Sequence, residues 1–166
     1  MTLRKLAIRS SEAAANAPAR RGPALAYARD DAAGAARDAV RPYSVLIVED
    51  DFLVALAAEA ALRDAGFEVA GVVVSAEAAI AEAAAKQPSL VVMDVRLAGR
   101  RDGIDAAIQL FRDHGIPCLF ATAHHDAEAH ARAKPAKPLG WLRKPYSMPD
   151  LVALVRQAAD ELGKER

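Results

Sequence analysis

The chain has a single cysteine, Cys118, among its 166 residues. One thiol excludes an intramolecular disulfide framework and a cysteine-rich zinc site, and its place in the apolar run Ile116 to Phe120 predicts a buried group. A cytosolic, cytoplasmic setting fits that usage. No stretch approaches the roughly 20 consecutive apolar residues of a membrane-spanning helix, and the N-terminus lacks a secretory apolar core of about 7–15 residues. Neither a Gly-x-x-x-x-Gly-Lys loop nor a Gly-x-Gly-x-x-Gly turn is present, so nothing supports a nucleotide enzyme. Net charge is missing too. The 22 basic and 22 acidic residues cancel, which leaves no electrostatic footprint for direct nucleic-acid binding or for an anionic membrane.

That balance conceals an asymmetry. Residues 1–44 carry eight Lys or Arg against four acids, and residues 45–166 carry fourteen against eighteen, so the charge changes sign near Val45. The first segment is rich in Ala and Arg, is broken by Pro18, Gly22, Pro23, Gly34 and Pro42, and shows no sustained apolar period that would bury a face. It reads as a disordered or weakly helical extension. Glu12, Asp30, Asp31 and Asp38 weaken an organelle-targeting alternative, because such peptides are poor in acids. Residues 45–166 read as one domain of ordinary size, in a chain whose 53% apolar content agrees with a globular core.

From Val45 the chain alternates short β-type runs with helical stretches, the order that predicts an α/β fold: a doubly wound, five-stranded parallel sheet with helices on both faces. The first strand, Val45 to Val48, leads into a helix from Phe52 to about Ala65, with Leu53, Leu56, Ala57 and Ala60 expected on its packed face and Gly66 as its stop. Phe67 to Val74 reads as the second strand. Ser75 caps the next helix, which Pro88 ends before the strand Leu90 to Met93. After the loop Arg96 to Asp102, a helix from Gly103 to His114 presents Ile104, Ala107, Ile108 and Phe111 as its apolar stripe. The fourth strand is Ile116 to Ala121. Asp126 to Ala133 is a short helix bounded by Pro135 and Pro138, Leu139 to Leu142 a brief fifth strand, and Ser147 with Asp150 a capping box for the last helix. The domain ends with that helix, which leaves no room for an output domain.

Four positions then fall at carboxyl ends of strands, the edge where open α/β sheets place their sites: Glu49-Asp50, Asp94, Thr122 and Lys144-Pro145. Two carboxylates about 4 Å apart repel by about 4 kcal/mol at an effective dielectric near 20, so the acids need a cation, a lysine or protons. Mg²⁺ suits them, since it prefers hard oxygen ligands, keeps several waters and works with one or two carboxylates and phosphate oxygens. With Asp94 as nucleophile, in-line attack on a phosphoryl donor calls for one metal ion, one ammonium and one hydroxyl, and Lys144 and Thr122 supply the last two. Asp51 reads as a helix cap rather than a ligand. His124, His125 and His130 read as surface residues and not as a zinc site, for they lack cysteine partners and a His-x-x-x-His pair.

These residues resemble a known family, the receiver domains of two-component response regulators, with their flavodoxin-like (βα)5 fold. The resemblance runs from residue 45 to about 162. It rests on Val-Leu-Ile-Val-Glu-Asp-Asp at 45–51, Leu-Val-Val-Met-Asp at 90–94, Phe-Ala-Thr at 120–122 and Trp-Leu-Arg-Lys-Pro-Tyr at 141–146. It implies that Asp94 is phosphorylated, that Asp50 and Asp94 bind Mg²⁺ directly, that Glu49 holds it through water, and that Arg96 contributes its backbone carbonyl. It further implies that Thr122 and Lys144 contact the new phosphoryl group, that the Lys144-Pro145 bond is cis, and that Trp141 is the switch aromatic. Arg96 and His124, two residues beyond Asp94 and Thr122, flank the path of the hydrolytic water and are expected to tune the lifetime of the phosphate. Phe120-Ala121-Thr122 is also similar to a stand-alone receiver subfamily with a Phe-Ala-Thr-Gly-x-Tyr motif, from which Ala123 and His125 depart.

The implied function is a stand-alone phosphoacceptor, not a turnover enzyme. It would be served by a histidine kinase or a histidine phosphotransferase, act on an unidentified downstream protein or in a phosphorelay, and exist as a monomer or as a phosphorylation-dependent homodimer. Two alternatives differ in class. A haloacid-dehalogenase-type phosphohydrolase wants a second acid two residues after its nucleophile, where Arg96 stands. A phosphorylation-independent adaptor with a vestigial pocket is opposed by the complete set of pocket residues.

Overall fold

The computed structural model describes residues 43–123 and 126–164. Expectations for the extension before residue 43, and those for His124 and His125, lie outside the described residues. Five strands, β1 (Ser44–Val48), β2 (Glu68–Val73), β3 (Leu90–Met93), β4 (Cys118–Thr122) and β5 (Gly140–Arg143), form one sheet in the order β2-β1-β3-β4-β5. Every neighbouring pair is parallel. The order reverses after β1, so the connections leaving β1 and β3 run to opposite faces of the sheet and open a crevice outside the carboxyl ends of those strands.

Helices α1 (Phe52–Asp64), α2 (Ala76–Lys86), α3 (Gly103–His114) and α4 (Ala127–Ala133) fill the four crossovers, and α5 (Met148–Lys164) follows β5. Strand alternation splits the core into two layers. On one face Leu46, Val48, Val91, Met93 and Phe120 pack with Ala79, Ala83, Ile104, Ala107 and Leu110 of α2 and α3. On the other, Val45, Ile47, Leu90, Val92 and Leu119 meet Ala58, Leu62, Leu151 and Val155 of α1 and α5. Cys118 is fully buried.

Local chemistry explains the boundaries. Asp51 accepts from the backbone N–H of Leu53 and Val54 at the start of α1, Ser75 from that of Ala78 at α2, and Asp102 from that of Asp105 at α3, each satisfying N–H groups that have no partner within the helix. Ser147 and Asp150 exchange hydrogen bonds ahead of α5, with the Asp150 N–H donating to Ser147 Oγ at 3.3 Å and the Ser147 N–H to Asp150 Oδ2 at 3.3 Å. Gly115, at φ +67°, closes α3 in the left-handed region that glycine adopts without steric cost.

Three expectations need correction. The packed face of α1 is Ala55, Ala58 and Leu62, whereas Leu53 is 72% and Leu56 52% exposed, because small residues let the helix lie close to the sheet. Strand β4 begins at Cys118 and takes in Thr122; the residue before it is Pro117, which has no N–H for the ladder and offers only its carbonyl, to the N–H of Val91 at 3.0 Å. Pro135 does not end the fourth helix outright. It sits inside a 3₁₀ turn, Lys134–Ala136, that continues α4, since proline is tolerated where a first-turn N–H would go unused.

Candidate functional site

The edge formed by the carboxyl ends of β1, β3, β4 and β5 brings Glu49, Asp50, Asp94, Thr122 and Lys144 together. Glu49 and Asp50 follow β1 directly and Asp94 follows β3; Val48 and Met93 are register partners, so the acids emerge level with one another. The Asp94 N–H is fixed on the Val48 carbonyl at 2.9 Å. Carboxylate oxygens of Glu49, Asp50 and Asp94 all lie within 4.8 Å of one another. Glu49 and Asp94 are buried and Asp50 is exposed, so the cluster has a dry floor and an open mouth.

Lys144 completes it from the far end of the domain. Its Nζ donates to Glu49 Oε2 and to Asp94 Oδ2, each at 2.5 Å. The lysine backbone is held in turn, for its N–H donates to the Thr122 carbonyl at 3.0 Å. The other Asp94 oxygen, Oδ1, accepts the Arg96 N–H at 3.1 Å. Lysine and backbone thus fix the rotation of the Asp94 carboxylate from both sides. Thr122 is fully buried at the end of β4, in register with Arg143 of β5. The Lys144-Pro145 peptide is cis.

Burial pushes the Glu49 carboxyl above its ordinary value and outweighs the opposing hydrogen bond from Lys144. For Lys144 burial acts to lower the ammonium, but the hydrogen bonds and charges of Asp94 and Glu49 win and leave it raised. The pocket therefore favours a proton on the lysine and resists a full set of bare carboxylates. Hard oxygen donors at this separation, one of them open to solvent, fit a partly hydrated Mg²⁺.

Beside the acids, Val54, Ala123, Lys144, Pro145, Tyr146 and Met148 line an apolar cavity of about 380 Å³. Phe52, Leu53 and Leu56 are exposed on the first two turns of α1, the helix that supplies Val54 to this cavity. Arg96 is exposed at the start of the β3–α3 loop. Trp141 lies on β5, half-buried, with its ring stacked on Phe120 at a centroid distance of 4.5 Å. His130, read from the sequence as a surface residue, also stacks on Trp141, at a centroid distance of 4.0 Å. Nothing in the local pattern of α4 signals that contact, which is made across the chain.

The family model for the response regulator receiver domain matches residues 45–156. The transcriptional regulatory protein PdtaR of Mycobacterium tuberculosis is 36% identical over 121 residues, which are 73% of this chain and 58% of that protein. The phyllosphere-induced regulator PhyR of Methylorubrum extorquens is 30% identical over 129 residues, 77% of this chain and 48% of that one. The chain thus spans about half the length of these curated relatives. Among solved structures, the receiver domain of a modulated diguanylate cyclase from Desulfovibrio desulfuricans superposes with a TM-score of 0.68 at 32% identity, covering 74% of this chain and 98% of that one. A CheY-like receiver domain from Methanospirillum hungatei gives 0.70 at 21% identity, covering 75% and 99%, and speaks for the fold alone.

Proposed function

Because the chain belongs to the response regulator receiver domain family, we propose that Asp94 accepts a phosphoryl group from a histidine kinase or a histidine phosphotransferase, and that the phosphorylated domain signals to a partner protein or passes the phosphate on. Residues 45–166 form the receiver unit in this reading, and residues 1–44 an extension to it. A receiver domain is typically a phosphoacceptor rather than a turnover enzyme, and it implies a cognate kinase. The carrying observation is the Asp94 carboxylate, pinned by Lys144 Nζ at 2.5 Å and by the Arg96 N–H at 3.1 Å within a cluster of three acids.

An Asp94 oxygen attacks phosphorus in line as the bond from phosphorus to the donor nitrogen breaks, and the electron pair leaves with the imidazole. Glu49, Asp50, Asp94 and the Arg96 carbonyl would hold Mg²⁺, which would supply neutralisation of charge on the phosphoryl oxygens. Lys144 provides the fixed ammonium, already placed between Glu49 and Asp94, and Thr122 provides a hydroxyl donor at the end of β4. The product adds roughly −1.5 to −2 charges, which gives both groups a new acceptor. Movement of Thr122 toward it opens space for Trp141, the readout on β5. Arg96 and His124 tune how quickly water removes the phosphate.

A protein donor must bring its phosphohistidine into bonding distance of Asp94, so it must cover the rim of the pocket. The exposed Phe52, Leu53 and Leu56 at the start of α1, the helix that follows Glu49 and Asp50, are the apolar contact such a donor needs.

Intact-mass measurement after incubation with acetyl phosphate tests the reading. A phosphate-sized gain that requires Mg²⁺ and vanishes in Asp94→Asn supports it. A gain that survives Asp94→Asn overturns the assignment, and no gain from acetyl phosphate or from a phosphorylated histidine phosphotransferase leaves the pocket vestigial.

A further inference from the structure

Helix α4 has little apolar surface to hold it. It spans seven residues, Ala127–Ala133, and buries only Ala129 and Ala133. Larger side chains on its other positions do the fastening. Arg132 donates to Asp102 Oδ2 at 2.7 Å and lies 3.5 Å from Asp105, which ties the helix to the start of α3 at the end of the Asp94 loop. Two residues earlier, the His130 ring lies on Trp141 with centroids 4.0 Å apart and planes inclined by 28°. Trp141 is stacked at 27° on Phe120, its register partner on β4 and two residues before Thr122. Three rings thus run from the buried core strand beside the pocket out to α4.

We propose that His130 is the positioning residue for Trp141: it closes the stack, holds the indole against Phe120, and makes α4 and Trp141 move as one unit when the pocket is phosphorylated. A flat ring is what the position requires, because the contact is face to face and lies within the range of aromatic stacking. An indole in ring contact with both Phe120 and His130 cannot turn alone, so any motion of Trp141 must carry α4 or break a stack. With α4 seated on two alanines, the helix follows more easily than a well-packed one would. This inference deepens the proposed function, since it takes Trp141 as the readout.

Trp141 is the sole tryptophan, so its fluorescence reports the clasp directly. Emission and anisotropy are recorded for the full chain and for His130→Ala and His130→Phe, first unphosphorylated and then after acetyl phosphate with Mg²⁺, with the mass gain measured in parallel. In unphosphorylated His130→Ala the emission should shift to longer wavelength and the anisotropy fall, while His130→Phe restores wild-type values. Phosphorylation should then leave wild type and His130→Phe with the same spectral response, and His130→Ala with a smaller one at an equal mass gain. Identical spectra for wild type and His130→Ala before phosphorylation, or failure of His130→Phe to restore them in a chain that melts normally, would overturn the clasp. The unphosphorylated comparison does not depend on Asp94, so a chain that gains no mass sinks the phosphoacceptor reading without deciding this one.

Discussion

Replacing Gly103 with alanine sets two effects of opposite sign against each other. Its φ is not in the left-handed region, so alanine can adopt the backbone, and the loss of chain freedom in the unfolded state would by itself stabilise by about 0.4–1 kcal/mol. The added methyl meets a wall, however. A Cβ at Gly103 would lie 1.9 Å from the Asp94 carbonyl oxygen and 2.9 Å from Met93 Cγ, where real contacts stay beyond 3.0 Å. The obstacle is backbone, so it must retreat by about 1.1 Å, the gap between those two distances. Overpacking of this kind costs about 1–3 kcal/mol, which exceeds the entropic gain over most of that range. The melting midpoint should fall by several degrees, at roughly 4 °C per kcal/mol for a domain of this size. The chemistry should suffer more, because the main chain that moves carries the nucleophile and a displacement of about 1 Å can cost on the order of 100-fold in rate. Gly115→Ala is the control: it forces alanine to φ +67° with nothing within 4 Å of the Cβ, which costs about 1–2 kcal/mol far from Asp94. Calorimetry and the initial rate of labelling by acetyl phosphate separate the two variants. Both should melt earlier, and only Gly103→Ala should label slowly. A Gly103→Ala protein that melts higher than wild type and labels normally would refute the reasoning.

Glu49 supplies a pH test. Its folded pKa is raised above the ordinary 4.5 by burial, so the folded state binds more protons than the unfolded one just above that value, and stability declines as pH climbs from about 4.5 through the folded pKa; Glu49→Gln should flatten that part of the curve of melting midpoint against pH. Lys144 acts at the other end: its raised pKa means a contribution fully present below the ordinary 10.5 and lost as pH rises through the folded value, a loss that Lys144→Met should not show. Leu56→Asp on the exposed face of α1 should change stability by no more than about 0.5 kcal/mol and leave acetyl phosphate labelling intact, yet slow transfer from a phosphorylated histidine phosphotransferase by about 10-fold or more; equal slowing with both donors would place the effect in the pocket instead. Cys118, fully buried and pushed up to about 12 by burial alone, should resist alkylation at neutral pH until the chain unfolds, and rapid modification of the folded protein would contradict its place in the core.

The sequence made the site more legible than the packing around it. Glu49, Asp50 and Asp94 were readable because they follow short apolar runs, and Lys144 because it follows the brief fifth strand beside Pro145; parallel strands put such ends along one edge. The packed face of α1 was misread for a physical reason. Eight of its thirteen residues are Ala or Leu at positions that satisfy more than one helical stripe, so periodicity alone does not choose between Leu53-Leu56 and Ala55-Ala58-Leu62. The larger side chains Leu53 and Leu56 stay exposed instead, against the habit of burying them. Strand edges shifted by one or two residues where Pro117 and Gly140 interrupt the pattern. The stack of His130 on Trp141 had no local signal, since it joins α4 to β5 across the 3₁₀ turn that separates them.

The ammonium between Glu49 and Asp94 reaches them across 95 and 50 residues of sequence. Contacts of such span close late, since long loops must be ordered before they are rewarded. A nascent or truncated chain that has made β1 and β3 but not β5 holds acids with no lysine between them, and no ammonium to receive a phosphoryl group. The last strand is therefore what brings a cation to this acidic edge, and the site is complete only when β5 has paired with β4.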